Sequence, residues 1–245
     1  MRVEVIDEHN PAGHLLHIGS CIGAFSRGRT QGEALAKVPR EVARYCRWLG
    51  LPFDREETMD IQIVQEKVSD LRVEDADSDV LFERERSPLT LAEYQWLKAL
   101  ALKSAADFLL LYSSVPEKDR TSLPPRKTFY GDVPRTAEEM YFHTRNVNAY
   151  YFGEIGVPAD NEGDILTCRA AGFSRLEAQP GFLSNGVVSG SYDEAWSIRK
   201  VCRRFVWHDT IHAKAMYRMA VGLWGEGAVA DPFRFSERPR QALPD

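Results

Sequence analysis

The chain has 245 residues, 44% hydrophobic and 27% charged, with a formal net charge of -5, and its length exceeds the ~150 residues of one modest domain, so two domains fit. The charge excludes the basic excess of a nucleic-acid binder, because residues 1–87 carry 12 Lys+Arg against 17 Asp+Glu and the remainder 19 against 19. The longest apolar run, ALALKSAADFLLLYSSV, is broken by Lys103, Ser104 and Asp107, and falls short of the ~20 apolar residues of a membrane span. With no basic and apolar leader at the amino terminus, a cytoplasmic protein without a membrane partner is the expectation.

Residues 1–87 read as α+β. The segments RVEVID, HLLHIG, IQIVQEKV and DVLFERE alternate with period two and are rich in Val and Ile, as strands are. Between them a helix is predicted from Thr30, which forms a capping box with Glu33, to Leu49, before Gly50. Leu35, Val38, Val42, Tyr45 and Leu49 make its packing face. Lys37, Arg40, Arg44 and Arg47 form a basic stripe, read as a solvated face. His14 and His17, three apart on a strand, point to opposite faces and are poor partners for one metal.

The stretch HLLHIGSCIGAFSRGRTQGEALAKVPREVARYCRWLG resembles the core of HicB-like antitoxin domains, with Cys21, Ser26, Gly28, Thr30, Glu33, Ala34 and Leu35 at the matching places. That family has Pro-Gly-Cys where this chain has Gly19-Ser20-Cys21. The resemblance implies a small α+β fold over residues 1–87 and no particular activity.

After Ser87-Pro88 helical signals take over. Capping boxes at Thr90 to Glu93, Thr136 to Glu139 and Ser191 to Glu194 open helices running to Ser114, Ile155 and Trp224, and a shorter helix is expected from Asp160 to Ala178. An all-α four-helix bundle over residues 88–245 is therefore expected, with a frayed tail from Glu237 to Asp245. The cysteines Cys21, Cys46, Cys168 and Cys202 are far apart with no CxxC, so buried reduced thiols are expected.

In FVWHDTIHAKAMYRM the residues Ile198, Val201, Phe205, His208, His212, Ala215 and Met219 recur at three and four, the spacing of an inward seam. Two imidazoles one turn apart can reach one divalent ion, although HxxxH alone is weak. On the earlier helix Met140, His143, Val147 and Tyr150 show the same spacing, which makes His143 a core-facing partner. Three protein ligands with one open position are the catalytic type of metal centre. Among neighbours, Asp209 projects ~100° from His208 and reads as a surface acid. Glu139 is explained by its capping box, and Tyr141, Arg145 and Arg218 flank the site without an assigned role.

The pieces EEMYFHTRNVNAYYFGEIG and FVWHDTIHAKAMYRMA resemble the DinB/YfiT-like superfamily of metal-dependent bacterial proteins, which includes thiol S-transferases, over Pro88 to Gly225. The resemblance implies Zn²⁺ or Ni²⁺ held by His143, His208 and His212, a small-molecule substrate or low-molecular-weight thiol, and a transferase or hydrolase. Homodimerisation is compatible with it and is not decided by the sequence. The competing expectation is a non-catalytic regulatory or binding protein, with a HicB-like recognition module and a structural metal; no general acid or base is identifiable in either case.

Overall fold

The computed structural model describes residues 1–54, 56–128 and 131–236, so the expected fraying of Glu237 to Asp245 lies outside the described residues. Strands β1 (Arg2–Asn10), β2 (Gly13–Ile18) and β3 (Phe25–Gly28) form an antiparallel meander. Two helices follow, α1 (Gln31–Leu35) and α2 (Val38–Leu49), and β4 (Asp60–Val68) then returns parallel to β1, giving the sheet order β3-β2-β1-β4. The predicted single helix from Thr30 breaks because Pro39 occupies the first turn of α2, where a missing N–H is harmless but a continuing helix is not accommodated. Thr30 caps α1 as expected.

Alternation along the strands divides the sheet into two faces. Val3, Val5, Leu16 and Ile18 pack with Ala34, Val38 and Val42 beneath the helices. Leu15 and Phe25 turn the other way and meet Val73 and Trp207, and Ile6 meets Val80 and Phe82. His14 and His17 accordingly lie on opposite faces, His14 beside Asp7 and His17 against the rings of Phe82 and Trp207. Arg44 departs from the expected solvated stripe: it is buried, with Nε donating to Glu41 Oε2 at 2.9 Å and Nη1 to the Phe233 carbonyl at 3.2 Å.

The remaining helices are α3 (Leu91–Ser114), α4 (Ala137–Glu154), α5 (Ile165–Glu177) and α6 (Ile198–Trp224). Thr90 and Thr136 close their capping boxes through Glu93 and Glu139. The expectation of an all-α four-helix bundle after Pro88 is not met. This half contains two small antiparallel ribbons, β5 (Lys127–Thr128) with β6 (Gly131–Asp132) and β7 (Val188–Ser189) with β8 (Ala195–Trp196), besides 3-10 turns. The predicted helix start at Ser191 fails for a local reason. Tyr192 and Asp193 take φ of 59° and 57°, which a right-handed helix does not allow, and Trp196 is drawn into full burial on β8. Helix α6 starts instead at Ser197, whose hydroxyl accepts from the Lys200 N–H.

The sheet and the later helices share a core. The main apolar cluster contains Val3, Val5 and Val42 together with Phe108, Phe152, Phe205 and Met219. Gly23, at φ 80° in the β2–β3 turn, sits so close to α6 that an added Cβ would lie 2.6 Å from Val206 Cγ1. Polar ties run the same way. Arg203 of α6 is clamped by Glu85 at 2.5 and 3.0 Å with its guanidinium 3.8 Å above the Phe82 ring, and Asn185 donates to the carbonyls of Glu85 and Ser87. Among the described residues no helix is long and apolar enough to cross a membrane.

Candidate metal centre

Helix α6 carries His208 and His212 on one face because four residues nearly complete a turn. Helix α4 packs against α6 and brings His143 to them. The three rings form a tight triangle, with centroids 5.0 Å apart for His143 and His208, 4.7 Å for His143 and His212, and 4.5 Å for His208 and His212. One nitrogen from each lies within 4.8 Å of the others. His143 Nε2 and His208 Nε2 face each other at 3.2 Å. Two imidazole nitrogens each ~2.0–2.1 Å from a tetrahedral ion are separated by about 3.3 Å, so this pair already stands at the spacing of shared ligands.

His143 is not the core-facing residue expected. It is exposed, while Met140, Tyr141, Thr144 and Asn148 form the buried face of α4. The cluster therefore lies at the rim of the α4–α6 contact, with His212 and His208 half-buried. That placement leaves one side of the triangle open, as a centre that exchanges ligands requires.

The electrostatics favour neutral rings. Partial desolvation of the ring at the α4–α6 contact lowers the His143 pKa, and desolvation followed by the charge of His143 takes His212 down to about 3. His208 falls well below the usual range through burial, then through His212 and His143. A neutral imidazole is the form that donates a lone pair to a metal. His208 turns Nε2 toward His143, the nitrogen that would meet an ion, while its buried Nδ1 has no hydrogen-bond partner among the described residues, so the outer contact that usually orients a ligating histidine is missing on this ring.

Several neighbours have roles that spacing did not show. Asp209 is not a surface acid: it is fully buried and holds Arg169 of α5 through contacts of 2.5 and 3.1 Å. Arg169 also lies 4.2 Å over the Phe205 ring. This pair locks α5 against the turn of α6 that presents His208. Arg204, one turn before His208, stacks on Trp207 and Tyr151 at 4.7 and 5.5 Å, and the Tyr151 ring stands edge-on to His208 at 6.1 Å. The i−4 position of Arg204 was the available signal for it; Arg169 is distant in sequence and offered none. Glu139 accepts from the N–H groups of Arg135 and Thr136, so the cap accounts for it. Tyr141 is buried and accepts from the Ile165 N–H, and Arg145 reaches the Gly163 carbonyl.

All four cysteines are free and buried. Burial pushes Cys21 up to about 11 and Cys202 up to about 12, which leaves neither thiol nucleophilic at neutral pH. Comparison of the chain with protein-family models, with curated proteins and with solved structures found no match.

Proposed function

We propose that His143, His208 and His212 hold one divalent ion, Zn²⁺ or Ni²⁺, and that the protein is a metal-dependent enzyme acting on a small molecule, of the transferase or hydrolase type. The observation that carries this reading is the convergence of three imidazole nitrogens from two helices within 4.8 Å, at an exposed rim and with every ring biased to its neutral form. Two such rings could be a packing accident; the third is brought in by tertiary structure alone. An ion bound there supplies a Lewis acid that stabilises the anion of a water or a small thiol.

The protein's own residues have separate tasks. The partly desolvated rim biases the imidazoles to their neutral form, the Arg169–Asp209 pair fixes the helix turn behind His208, and Tyr151, itself beneath the Arg204 guanidinium, stands edge-on to that ring. Because the chain's thiols are buried and held protonated, any sulfur nucleophile comes from the substrate side. The resemblance to DinB/YfiT-like proteins favours a low-molecular-weight thiol, and buried free cysteines suit the reducing cytoplasm.

The test is cobalt substitution of the full-length protein followed by addition of a small thiol. A new thiolate-to-metal absorption in wild type, absent from His212→Ala, supports an open position at this centre. A cobalt spectrum that ignores both thiol and azide overturns the catalytic reading, because it describes an ion closed off by protein.

A further inference from the structure

A second group of donors lies on the sheet, apart from the histidine triangle. Asp7 and His9 alternate along β1 and so share a face, and His14 of β2 stands directly opposite His9. The ring of His14 stacks on His9 at 5.1 Å, and its Nδ1 lies 3.1 and 3.0 Å from the two oxygens of Asp7. Gln31, the first residue of α1, donates to Asp7 Oδ2 at 2.9 Å.

The fourth member arrives through an irregularity. Strand β4 pairs Val5 with Ile63 and then Ile6 with Gln65, a bulge that skips one residue and sets Glu66 beside Asp7. Regular pairing would have placed Gln65 there, since a one-residue shift reverses every side chain. Bulges recur where a side chain must be re-aimed toward a site. Here the bulge exchanges an amide for a carboxylate.

Donor atoms of Asp7, His9 and Glu66 lie within 4.8 Å of one another. Asp7 is fully buried. Among the described residues neither carboxylate is paired with a lysine or arginine; Asp7 meets the His14 ring and accepts from Gln31, and Glu66 makes no ion pair. The two carboxylates and the His9 imidazole thus meet at one point on the sheet. An imidazole with two carboxylates is a donor set for a divalent ion of the zinc class. His14, bonded to Asp7, occupies the place of the outer partner that orients a ligand.

We propose that Asp7, His9 and Glu66 form a second divalent-metal site on the sheet, with His14 as its positioning residue. The site is independent of the histidine triangle and does not require it.

Zinc content of the full-length protein, measured after equilibrium dialysis against Zn²⁺, tests this, with circular dichroism as the folding control. Two molar equivalents are expected in wild type, one in Glu66→Gln, one in His9→Ala and one in His212→Ala, and none in the double variant His212→Ala/Glu66→Gln. His14→Ala should keep the site with affinity weakened about 10- to 100-fold. Zinc content unchanged by Glu66→Gln and His9→Ala overturns the proposal, as does a wild type whose single equivalent vanishes in His212→Ala. A single equivalent that survives His212→Ala and is lost in Glu66→Gln supports this site and removes the histidine centre instead.

Discussion

Replacing Asp209 with alanine should destabilise the protein by about 4 kcal/mol, because it strands a guanidinium that has no access to water. Asp209 and Arg169 both have side chains with 0% exposure, and two contacts of 2.5 and 3.1 Å join them. Breaking such a pair from one side costs ~3–5 kcal/mol, since the remaining charge stays desolvated. A Coulomb estimate at an effective dielectric of ~20 and ~4 Å separation gives about 4 kcal/mol, in agreement. Arg169 keeps its bond to the Ala101 carbonyl and its place over Phe205, which softens the loss without neutralising the charge. In a chain of this size each kcal/mol moves the melting midpoint by ~2–4 °C, so a fall of about 8–16 °C is expected in a thermal scan. The double variant Arg169→Met/Asp209→Leu should recover most of that fall, because an apolar pair of similar volume removes both charges. Urea titration of Arg169→Met, Asp209→Leu and their double closes the cycle. A loss below ~1 kcal/mol in Asp209→Ala, the value of an exposed ion pair, would refute the burial on which the reasoning rests.

Three further outcomes follow from the same contacts. Acidification should destabilise the metal-free protein: the folded-state pKa values of His143, His208 and His212 lie below the ordinary one, so the unfolded chain takes up protons first. The stability contributed by the neutral rings is present above ~6.5 and is lost progressively as pH falls toward the His212 value of about 3; urea midpoints at stepped pH measure it, and a triple His→Ala variant should show a shallower slope. Gly172→Ala should cost about 1–3 kcal/mol by overpacking, because the added Cβ would lie 2.5 Å from Phe152 Cδ2 where α4 and α5 meet; an unchanged melting midpoint would contradict that contact. A chain beginning at Pro88 lacks Glu85, the partner of buried Arg203, and the sheet that covers Trp207, so it should show weakened cooperativity in thermal unfolding; a melt as sharp as that of the full chain would contradict the shared core.

The parts of this structure legible in the sequence are those governed by local chemistry. Thr90 and Thr136 announce their helices because a capping box is complete within four residues. His208 and His212 share a face because α-helical geometry requires it. Ser191 shows the same pattern and fails, since the chain at Tyr192 and Asp193 adopts positive φ and Trp196 just beyond is buried on β8. The burial of Asp209 depends on Arg169, forty residues earlier, and no period in either helix encodes that meeting. His143 belongs to the cluster, but as an exposed rim residue; the spacing of α4 identified a stripe displaced from the face that Tyr141, Thr144 and Asn148 bury. The β4 bulge that selects Glu66 over Gln65 is likewise a property of strand pairing and has no mark in the alternation of β4 itself.

The most direct test of the histidine centre is an anomalous difference map, collected at the zinc edge from crystals of the full-length protein grown with Zn²⁺. The account predicts a peak bonded at ~2.0–2.1 Å to one nitrogen each of His143, His208 and His212, with further density in an open position. A map with no peak among these rings, in which His143 Nε2 and His208 Nε2 keep their mutual 3.2 Å contact, would contradict it and leave three histidines that are merely packed together.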